Sequence, residues 1–311
     1  MVFLIQQTIN YAVPLLIVAL AGVFAERSGV INLALEGIMV FGAFVGALFI
    51  RIMQSSGLFD KSQGQWLLLL TMLVCALMGA VFSLLLSFSA INLKADQTIG
   101  GTALNLLATA LAMVIAKGVN HSASAKLDYS NRVFVYEFGP LTVNVFLFIG
   151  IVALILSYIV LYKTRLGLRL RACGEHPQAA DSVGINVYKM RYIGVLISGV
   201  LGGIGGMAYI IPSVSSWNFE VGVSGAGFLA LAVMIFGQWK PFRIFLAAVF
   251  FALFKSLANI ASSIPFLADL GWTQNMYNMI PFIASMIILA FTSKKSRAPK
   301  AEGIPYDKGS R

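Results

Sequence analysis

Hydrophobic residues in this chain form long runs separated by short polar stretches. A helix needs about 20 apolar residues to cross a hydrocarbon core of roughly 30 Å, and these runs have that length. They do not alternate with polar residues at every second position, as a lipid-facing barrel requires. We therefore predict nine membrane-spanning helices, over Val2–Phe24, Ile31–Ile52, Trp66–Ile91, Thr98–Ala116, Leu141–Tyr162, Tyr192–Ile211, Gly225–Phe236, Phe242–Ile264 and Met276–Phe291.

Two of the predicted helices are irregular. The run at 225–236 is short, and the second run opens with the polar residues Asn32 and Glu36. Either could be a broken or re-entrant helix whose backbone is satisfied only inside protein. The fold class is therefore all-α and polytopic, with about nine spans, and counts of eight or ten stay open. We expect a transmembrane domain over residues 1–292 and a tail over 293–311.

Composition supports a membrane environment, since 59% of the residues are hydrophobic and only 11% are charged. The mean hydropathy of +0.87 is too high for a chain wrapped in one water-soluble surface. The first apolar run lacks a basic n-region and is longer than the apolar part of a secretory signal. We therefore expect it to be retained.

Charge asymmetry predicts the orientation. Loops assigned to one side, including the segment 163–191 and the C-terminal tail, hold 16 Lys and Arg, whereas the opposite loops hold five. Short basic loops stay in the cytoplasm, so the tail should be cytoplasmic and, with nine crossings, the N-terminus extracytoplasmic. Topology and anionic lipid account for the net charge of +10, so no nucleic-acid partner is needed to explain it.

Several kinds of chemistry find no support in the sequence. There is no Gly-x-x-x-x-Gly-Lys-Ser/Thr nucleotide loop, and the two histidines fall in loops on opposite sides. Cys75 and Cys173 are too far apart in the predicted topology to pair. We therefore predict no catalytic residues, no metal and no cofactor, and we do not expect the chain to be an enzyme or to bind ATP itself.

Small residues recur four positions apart in two of the predicted helices. Gly42 and Gly46 form one such pair, and the segment 198–206 contains two more. This spacing lets helix backbones approach closely, which predicts helix-packing seams. The dense glycine run at 198–206 could also act as a hinge.

Four separated segments, in order, resemble the permease subunits of bacterial ABC importers of the branched-chain amino acid and ribose type. Within that family the chain is most similar to the shorter permease of nucleoside importers of the guanosine or purine type. The segments are Glu26–Gly37, Ala95–Asn105, Gly174–Ala180 and Gly227–Pro241.

The resemblance implies a subunit of an ATP-driven importer in the bacterial plasma membrane. Its partners would be a second homologous permease, cytoplasmic ABC ATPase domains and an extracytoplasmic substrate-binding protein, often a lipoprotein. This chain would form half of the pathway for a nucleoside and would leave ATP hydrolysis to its partners.

The basic segment 163–191 is the predicted coupling loop to the ATPase. Pro177 can begin a short helix that would end near Gly184, and such a helix could fit an ATPase groove. A solvated loop that only fixes orientation is the simpler alternative. The candidate coupling residues are Arg169, Arg171, Gly174, Glu175, His176, Pro177, Ala180, Asp181 and Gly184.

Polar residues within spans are the candidates for contact with the substrate. Such groups mark transport pathways, but they also join helices to one another. The candidates are Asn32, Glu36, Thr102, Asn105, Lys255 and Asn259. Alternative functions are an ABC permease for a sugar or a branched-chain amino acid, and a secondary carrier in which Glu36 and Lys255 couple ions.

Overall fold

The computed structural model describes residues 2–57, 64–130, 135–138, 141–261, 272–292 and 297–309. Within these ranges, seven helices are long and apolar enough to cross a membrane. They occur together with shorter helices, which confirms the all-α polytopic class. The helices are α1 Val2–Glu26, α2 Leu35–Ser55, α3 Gly64–Ser87, α4 Gln97–Asn120, α5 Val145–Lys163, α6 Arg165–Glu175, α7 Pro177–Ser182, α8 Val187–Ile210, α9 Ala226–Phe236, α10 Pro241–Ile260 and α11 Gln274–Thr292.

Most predicted spans correspond to one helix with shifted ends. A π-helical turn, Phe88–Asn92, extends α3. The seven long helices and the 19-residue α11 correspond to eight of the predicted spans, and the short α9 takes the place of the ninth, so the count of about nine is loosely consistent. Residues 262–264, at the end of the eighth predicted span, lie outside the described residues.

Two predicted boundaries were wrong. The fifth span begins at Val145 because Leu141–Asn144 forms strand β3, which pairs antiparallel with β2, Val135–Phe138. Helix α8 starts at Val187, five residues before the predicted Tyr192, and the Asn186 side chain caps it by accepting a hydrogen bond from the Lys189 N–H. Hydropathy places a boundary where charge begins, whereas a capped helix continues through charged residues.

Helix α8 lies at the centre of the bundle and packs against α1, α2 and α3. A Cβ added to Gly42 would lie 2.5 Å from the Cα of Gly203, and one added to Gly206 would lie 2.0 Å from the Met39 carbonyl oxygen. Only glycine permits contacts this close. The predicted seams do pack helices, and α8 is continuous through them.

Two helices begin inside the bundle. Residues 31–34 are not helical, and α2 starts at Leu35. Helix α9 has only 11 residues, or about 16 Å, which is too short to cross a membrane. A 3₁₀ turn, Phe219–Val221, and positive φ angles at Gly222, Ser224 and Gly225 lead into it. The run at 225–236 is therefore a short helix that does not span, one of the arrangements that the sequence left open. The second run is a continuous 21-residue helix that starts four residues later than predicted, so the expectation of a broken helix was wrong there.

The segment 163–191 and the described part of the C-terminal tail lie at the same end of the bundle, called the basic end below. The Ala301 N–H donates to the Gly174 carbonyl at 2.8 Å, and the Arg191 guanidinium donates to the Ile304 carbonyl at 3.0 Å. At the opposite end, strand β1, Lys126–Asp128, pairs antiparallel with β4, Ser216–Asn218.

Candidate translocation and coupling sites

The carboxylate of Glu36 lies at the start of α9. One oxygen accepts the Gly225 N–H at 2.9 Å and the other accepts the Gly227 N–H at 2.6 Å. Glu36 also occupies the first turn of α2. The positive ends of two helix dipoles therefore meet at one carboxylate, which satisfies N–H groups that a helix start leaves unpaired.

Gly227 is sterically required at this junction. A Cβ at this position would lie 2.5 Å from the Cα of Glu36. The glycine therefore allows the α9 backbone to approach α2 closely enough for both hydrogen bonds to form. This is a close backbone contact of the kind that glycine permits.

Asn105 of α4 holds the non-helical start of α2. Its side-chain amide donates to the Leu33 carbonyl at 2.9 Å, and its oxygen accepts the Gly37 N–H at 2.7 Å. Asn32 donates to the Ser198 hydroxyl of α8 at 2.8 Å. The structure thus brings Asn32, Glu36 and Asn105 to the starts of α2 and α9, where they join helices. Their contact with substrate stays a prediction.

Thr102 is placed apart from this group. It is exposed on α4, and its hydroxyl donates to the carbonyls of Thr98 and Ile99 in its own helix. The four-residue spacing of Lys255 and Asn259 holds on α10. Asn259 donates to the hydroxyl of Tyr11, and Lys255 borders a cavity that also touches the α9 start at Ser224 and Ala226.

This cavity is small and partly aromatic. Its volume is about 10 Å³, enough for roughly one water molecule. Tyr11, Tyr209 and Phe282 line it, and the rings of Tyr11 and Tyr209 are 6.2 Å apart. Neither tyrosine is among the candidates predicted from the sequence. A hydroxyl group within an apolar span needs a polar partner, and that requirement could have identified them.

The coupling segment contains two helices. The predicted short helix is present as α7, which Pro177 begins. The His176 imidazole caps it by accepting the Ala179 N–H at 3.3 Å, and Gly184 follows its end with φ +82°. The sequence prediction of a loop before Pro177 was wrong, because residues 165–175 form the amphipathic helix α6.

Helix α6 is attached to the end of α1. A Cβ on Gly174 would lie 2.3 Å from the Arg27 carbonyl oxygen, and Glu175 forms an ion pair with Arg27 at 3.2 Å. Arg171 stacks over the ring of Tyr162 at 4.8 Å. Burial lowers the pKa of Arg27, and the neighbouring Glu175 partly opposes this shift.

The remaining coupling candidates divide by exposure. Pro177 and Ala180 are buried on the inner side of α7. His176, Arg169 and Gly184 are exposed, and Asp181 is half-buried. The exposed groups are free to contact a partner, whereas the buried ones fix α7 to the rest of the chain. Whether an ATPase binds there stays a prediction.

The end of α1 also contacts the turn after α9. The Trp239 indole donates to the Glu26 carboxylate at 2.5 Å, and both side chains are buried. Trp239 has φ +54°, so this turn holds a non-glycine residue in the left-handed region. A series of contacts therefore leads from α6 through residues 26–27 to the end of α9, whose start binds Glu36.

A short helix that starts beside a buried carboxylate, inside a bundle of long apolar helices, is typical of polytopic transport proteins. The family described as "Branched-chain amino acid transport system / permease component" matches residues 4–290. The chain belongs to this family, and it is an ABC transporter permease, as the sequence motifs predicted.

Curated relatives agree over nearly the whole chain. The guanosine ABC transporter permease protein NupQ of Bacillus subtilis (strain 168) is 40% identical over 99% of this chain and 97% of its own. The nucleoside ABC transporter permease protein NupC of Lactococcus lactis subsp. cremoris (strain MG1363) is 40% identical over 98% and 96%. NupB of the same strain, also a nucleoside ABC transporter permease, is 27% identical over 54% of this chain and 46% of its own.

Proposed function

We propose that this chain is one of two permeases in an ATP-driven importer of nucleosides, and that it forms half of the pathway. The names of two relatives, each 40% identical over almost the full length, support the substrate class. The resemblance to NupB supports a second, homologous permease as partner. The other proposed partners are a cytoplasmic ABC ATPase and an extracytoplasmic substrate-binding lipoprotein.

The observation that carries the coupling proposal is the series of contacts from α6 to Glu36. A force on α7 reaches α6, and the close contact at Gly174 transmits it to Arg27. The neighbouring Glu26 holds Trp239 at the end of α9. Movement of α9 then changes the distance between its start and Glu36. ATPase motion would in this way alter the polar contacts that Asn32, Glu36 and Asn105 make at the starts of α2 and α9.

Transport of a nucleoside requires the helices around these polar residues to move apart. The cavity beside Lys255 has room for about one water molecule, so a nucleoside could enter it only if the helices that line it moved apart. Once opened, amides and carboxylates could bind ribose hydroxyls and base edges, while the rings of Tyr11 and Tyr209 could stack on a base. Asn32, Glu36, Asn105, Lys255 and Asn259 are the proposed polar contacts, and Thr102 is a weaker candidate.

Uptake into proteoliposomes tests this function. The chain is purified with the second permease, the ATPase and the binding protein, and uptake of labelled guanosine is measured with ATP inside or outside the vesicles. We expect uptake only when ATP reaches the ATPase. Uptake by this subunit alone without ATP would indicate a secondary carrier. Uptake of glucose or leucine in place of guanosine would support the two alternative substrate classes.

We also propose that the basic end is cytoplasmic in a bacterial plasma membrane. The excess of Lys and Arg at that end supports this orientation. It predicts that a cysteine introduced at Ser182 on α7 reacts with a membrane-impermeant maleimide only after the cells are opened. A cysteine at Ser122, at the opposite end, should react in intact cells. The reverse pattern would reject the orientation.

A further inference from the structure

Five basic side chains line one polar cavity at the basic end, called the basic cup below. They are Arg27, Arg171, Lys240, Arg297 and Lys300, and Glu175 is the acidic side chain among the described lining residues. The cavity has a volume of about 430 Å³, within the roughly 300–1,000 Å³ of small-ligand sites. The cup therefore has the size and charge of a site for an anion.

The cup is assembled from distant parts of the chain. Arg27 follows α1, Arg171 belongs to α6, Lys240 lies between α9 and α10, and the other two come from the tail. The hydrogen bond from Ala301 to Gly174 fixes the tail beside α6. Bringing like charges together costs free energy unless an anion binds between them.

The carboxylates near the cup lie around Arg27. Glu175 pairs with Arg27, whose side chain is only 11% exposed, and the buried Glu26 and the half-buried Glu302 interact with the same arginine. Lys240, Arg297 and Lys300 form no ion pair with any residue that the structure describes. Arginine guanidinium groups bind phosphate with paired hydrogen bonds, and lysine adds a point charge. A phosphate group suits this set of donors.

An apolar groove lies between helices that also border the cup, further from the basic end. It runs between α1, α5 and α10, and all its lining residues are apolar or glycine, among them Gly150, Ile151 and Phe245. Its volume is about 190 Å³. Tyr162 at the end of α5 and Lys240 at the start of α10 border the cup. On α10 the groove residue Phe245 is about one turn from Lys240, whereas on α5 Ile151 is about 16 Å from Tyr162, roughly the length of an acyl chain.

We infer that the basic cup binds the phosphate of an anionic phospholipid from the adjoining leaflet, and that an acyl chain of this lipid lies in the groove between α5 and α10. Basic pockets between helices at a membrane surface are suited to anionic headgroups. The apolar groove favours a lipid over free phosphate, because an acyl chain can occupy an apolar groove and a hydrated phosphate ion cannot. The bound lipid would hold the tail, α6 and α10 together.

The test uses the purified transporter complex, a mixture of phosphatidylglycerol and phosphatidylcholine, and native mass spectrometry to count bound lipids. The cup variant replaces Lys240, Arg297 and Lys300 with Gln. Its matched control replaces Lys163, Arg165 and Lys189, which are exposed basic residues of the same end outside the cup. We expect binding of phosphatidylglycerol to weaken roughly fivefold for each cup residue removed and to change little in the control.

A second pair of variants tests the groove. Ile151→Trp fills it from a lipid-facing position, whereas Ile155→Trp, one turn along α5, lies outside it. Only the first should weaken lipid binding, and its effect should not depend on the headgroup. If the triple cup variant fails to assemble, Lys240→Gln and Arg297→Gln are measured singly, with about a fivefold loss expected from each.

Three results would overturn the inference. Equal retention of phosphatidylglycerol by the cup variant and its control would show that the basic cup is not the lipid-binding site. Displacement of the lipid by millimolar glycerol phosphate or inorganic phosphate, together with no effect of Ile151→Trp, would indicate a soluble phosphate ligand. Unchanged lipid binding together with loss of the ATPase from the purified complex would show that the cup binds an acidic protein surface.

Discussion

The N–H of Gly227 donates to the carboxylate of Glu36 at 2.6 Å, and this bond joins the starts of two helices inside the membrane bundle. Glu36 belongs to α2 and Gly227 to α9. In a hydrocarbon environment an unpaired N–H costs several kcal/mol, so the carboxylate stabilises the start of the short helix α9. The same carboxylate is the proposed contact between the transport pathway and the coupling helices.

Replacing Glu36 with Gln should weaken both stability and transport. The N–H groups of Gly225 and Gly227 bind different oxygens of the carboxylate, so in the same geometry the NH₂ group of glutamine would face one of these N–H groups, donor against donor. Loss of a hydrogen bond to a charged group costs about 1.5–3 kcal/mol. We expect a lower midpoint of thermal unfolding in detergent and slower ATP-dependent guanosine uptake per folded complex.

Glu220→Gln is the matched control for this variant, because Glu220 is an exposed glutamate paired with Lys117 at 3.0 Å. It should change neither measurement appreciably. If Glu36→Gln lowers the yield of folded protein but the folded fraction transports at the normal rate, then Glu36 joins helices and does not take part in transport.

Gly203→Ala should destabilise the bundle through direct overlap. A Cβ at this position would lie 2.3 Å from the carbonyl oxygen of Cys75, so α3 and α8 would have to separate. Overpacking of this kind costs typically 1–3 kcal/mol. The unfolding midpoint of the purified permease measures the effect.

Gly118→Ala in α4 provides the contrast, because no atom lies within 4 Å of the added Cβ. Alanine favours helix over glycine by about 0.8–1.0 kcal/mol, so this variant should be neutral or slightly stabilised. Equal destabilisation by Gly118→Ala and Gly203→Ala would mean that the glycine seams are not set by backbone contact.

Features that depend on local composition could be predicted from the sequence. Continuous apolar runs gave the spans, because a hydrocarbon core selects length and hydrophobicity. Pro177 and Gly184 predicted α7, since each residue restricts the backbone in a known way. The short run at 225–236 predicted the short helix α9, whereas Asn32 and Glu36 indicated only that α2 starts later and makes polar contacts there.

Contacts between distant segments could not be predicted. Nothing near Asn105 in the sequence indicates that it binds Leu33 and Gly37, which are about seventy positions away. Helix α6 was missed because its four arginine and glutamate side chains suggested solvent, whereas one face of an amphipathic helix is enough to hold it at a surface. The tail that docks on Gly174 likewise has no local signal.

Replacing Arg171 and Glu175 together should uncouple the permease from its ATPase. Glu175 holds Arg27 at 3.2 Å, and Arg171 stacks on Tyr162, so their loss frees α6 from the ends of α1 and α5. We expect the Arg171→Gln, Glu175→Gln double variant to reach the membrane normally but to lose most ATP-dependent uptake. Uptake per complex and the amount of copurified ATPase are measured together.

The matched control for that double variant is Lys163→Gln with Arg165→Gln, because both residues are exposed near the same helix junction. It should transport at close to the normal rate. Normal uptake by the Arg171 and Glu175 variant, with the ATPase still bound, would exclude these side chains from coupling.

Asp96 should make the stability of α4 depend on pH in acid. Its carboxylate accepts the N–H groups of Thr98 at 2.8 Å and Ile99 at 3.0 Å, and these bonds lower its pKa below the ordinary 3.8. Because the pKa is lower in the folded state, the ionised carboxylate stabilises the fold at pH values above the pKa of the unfolded state. This stabilisation is lost as the pH falls through the pKa of the folded state. The midpoint of thermal unfolding of the wild type should therefore decrease below about pH 4.

Asp96→Asn retains a capping oxygen but does not titrate, so its unfolding midpoint should change less over the same pH range. Asp128→Asn in β1 is the control, and it should follow the wild-type profile because Asp128 caps no helix. Parallel curves for wild type and Asp96→Asn would show that the cap does not set the acid response.

Cys173 should resist thiol reagents as long as the basic end is intact. It is fully buried, and burial raises its pKa to about 11, although the nearby Arg191 opposes this shift. A thiol is reactive mainly as the thiolate, so little of it reacts at neutral pH. Variants that release α6, such as the Arg171 and Glu175 double variant, should expose Cys173 and speed its reaction with maleimide.

The control adds Cys173→Ser to the double variant, which leaves the buried Cys75 as the other cysteine of the chain. This variant should not show the faster reaction with maleimide. Equal labelling rates for Cys173 in wild type and in the double variant would mean that those side chains do not hold α6 against α1.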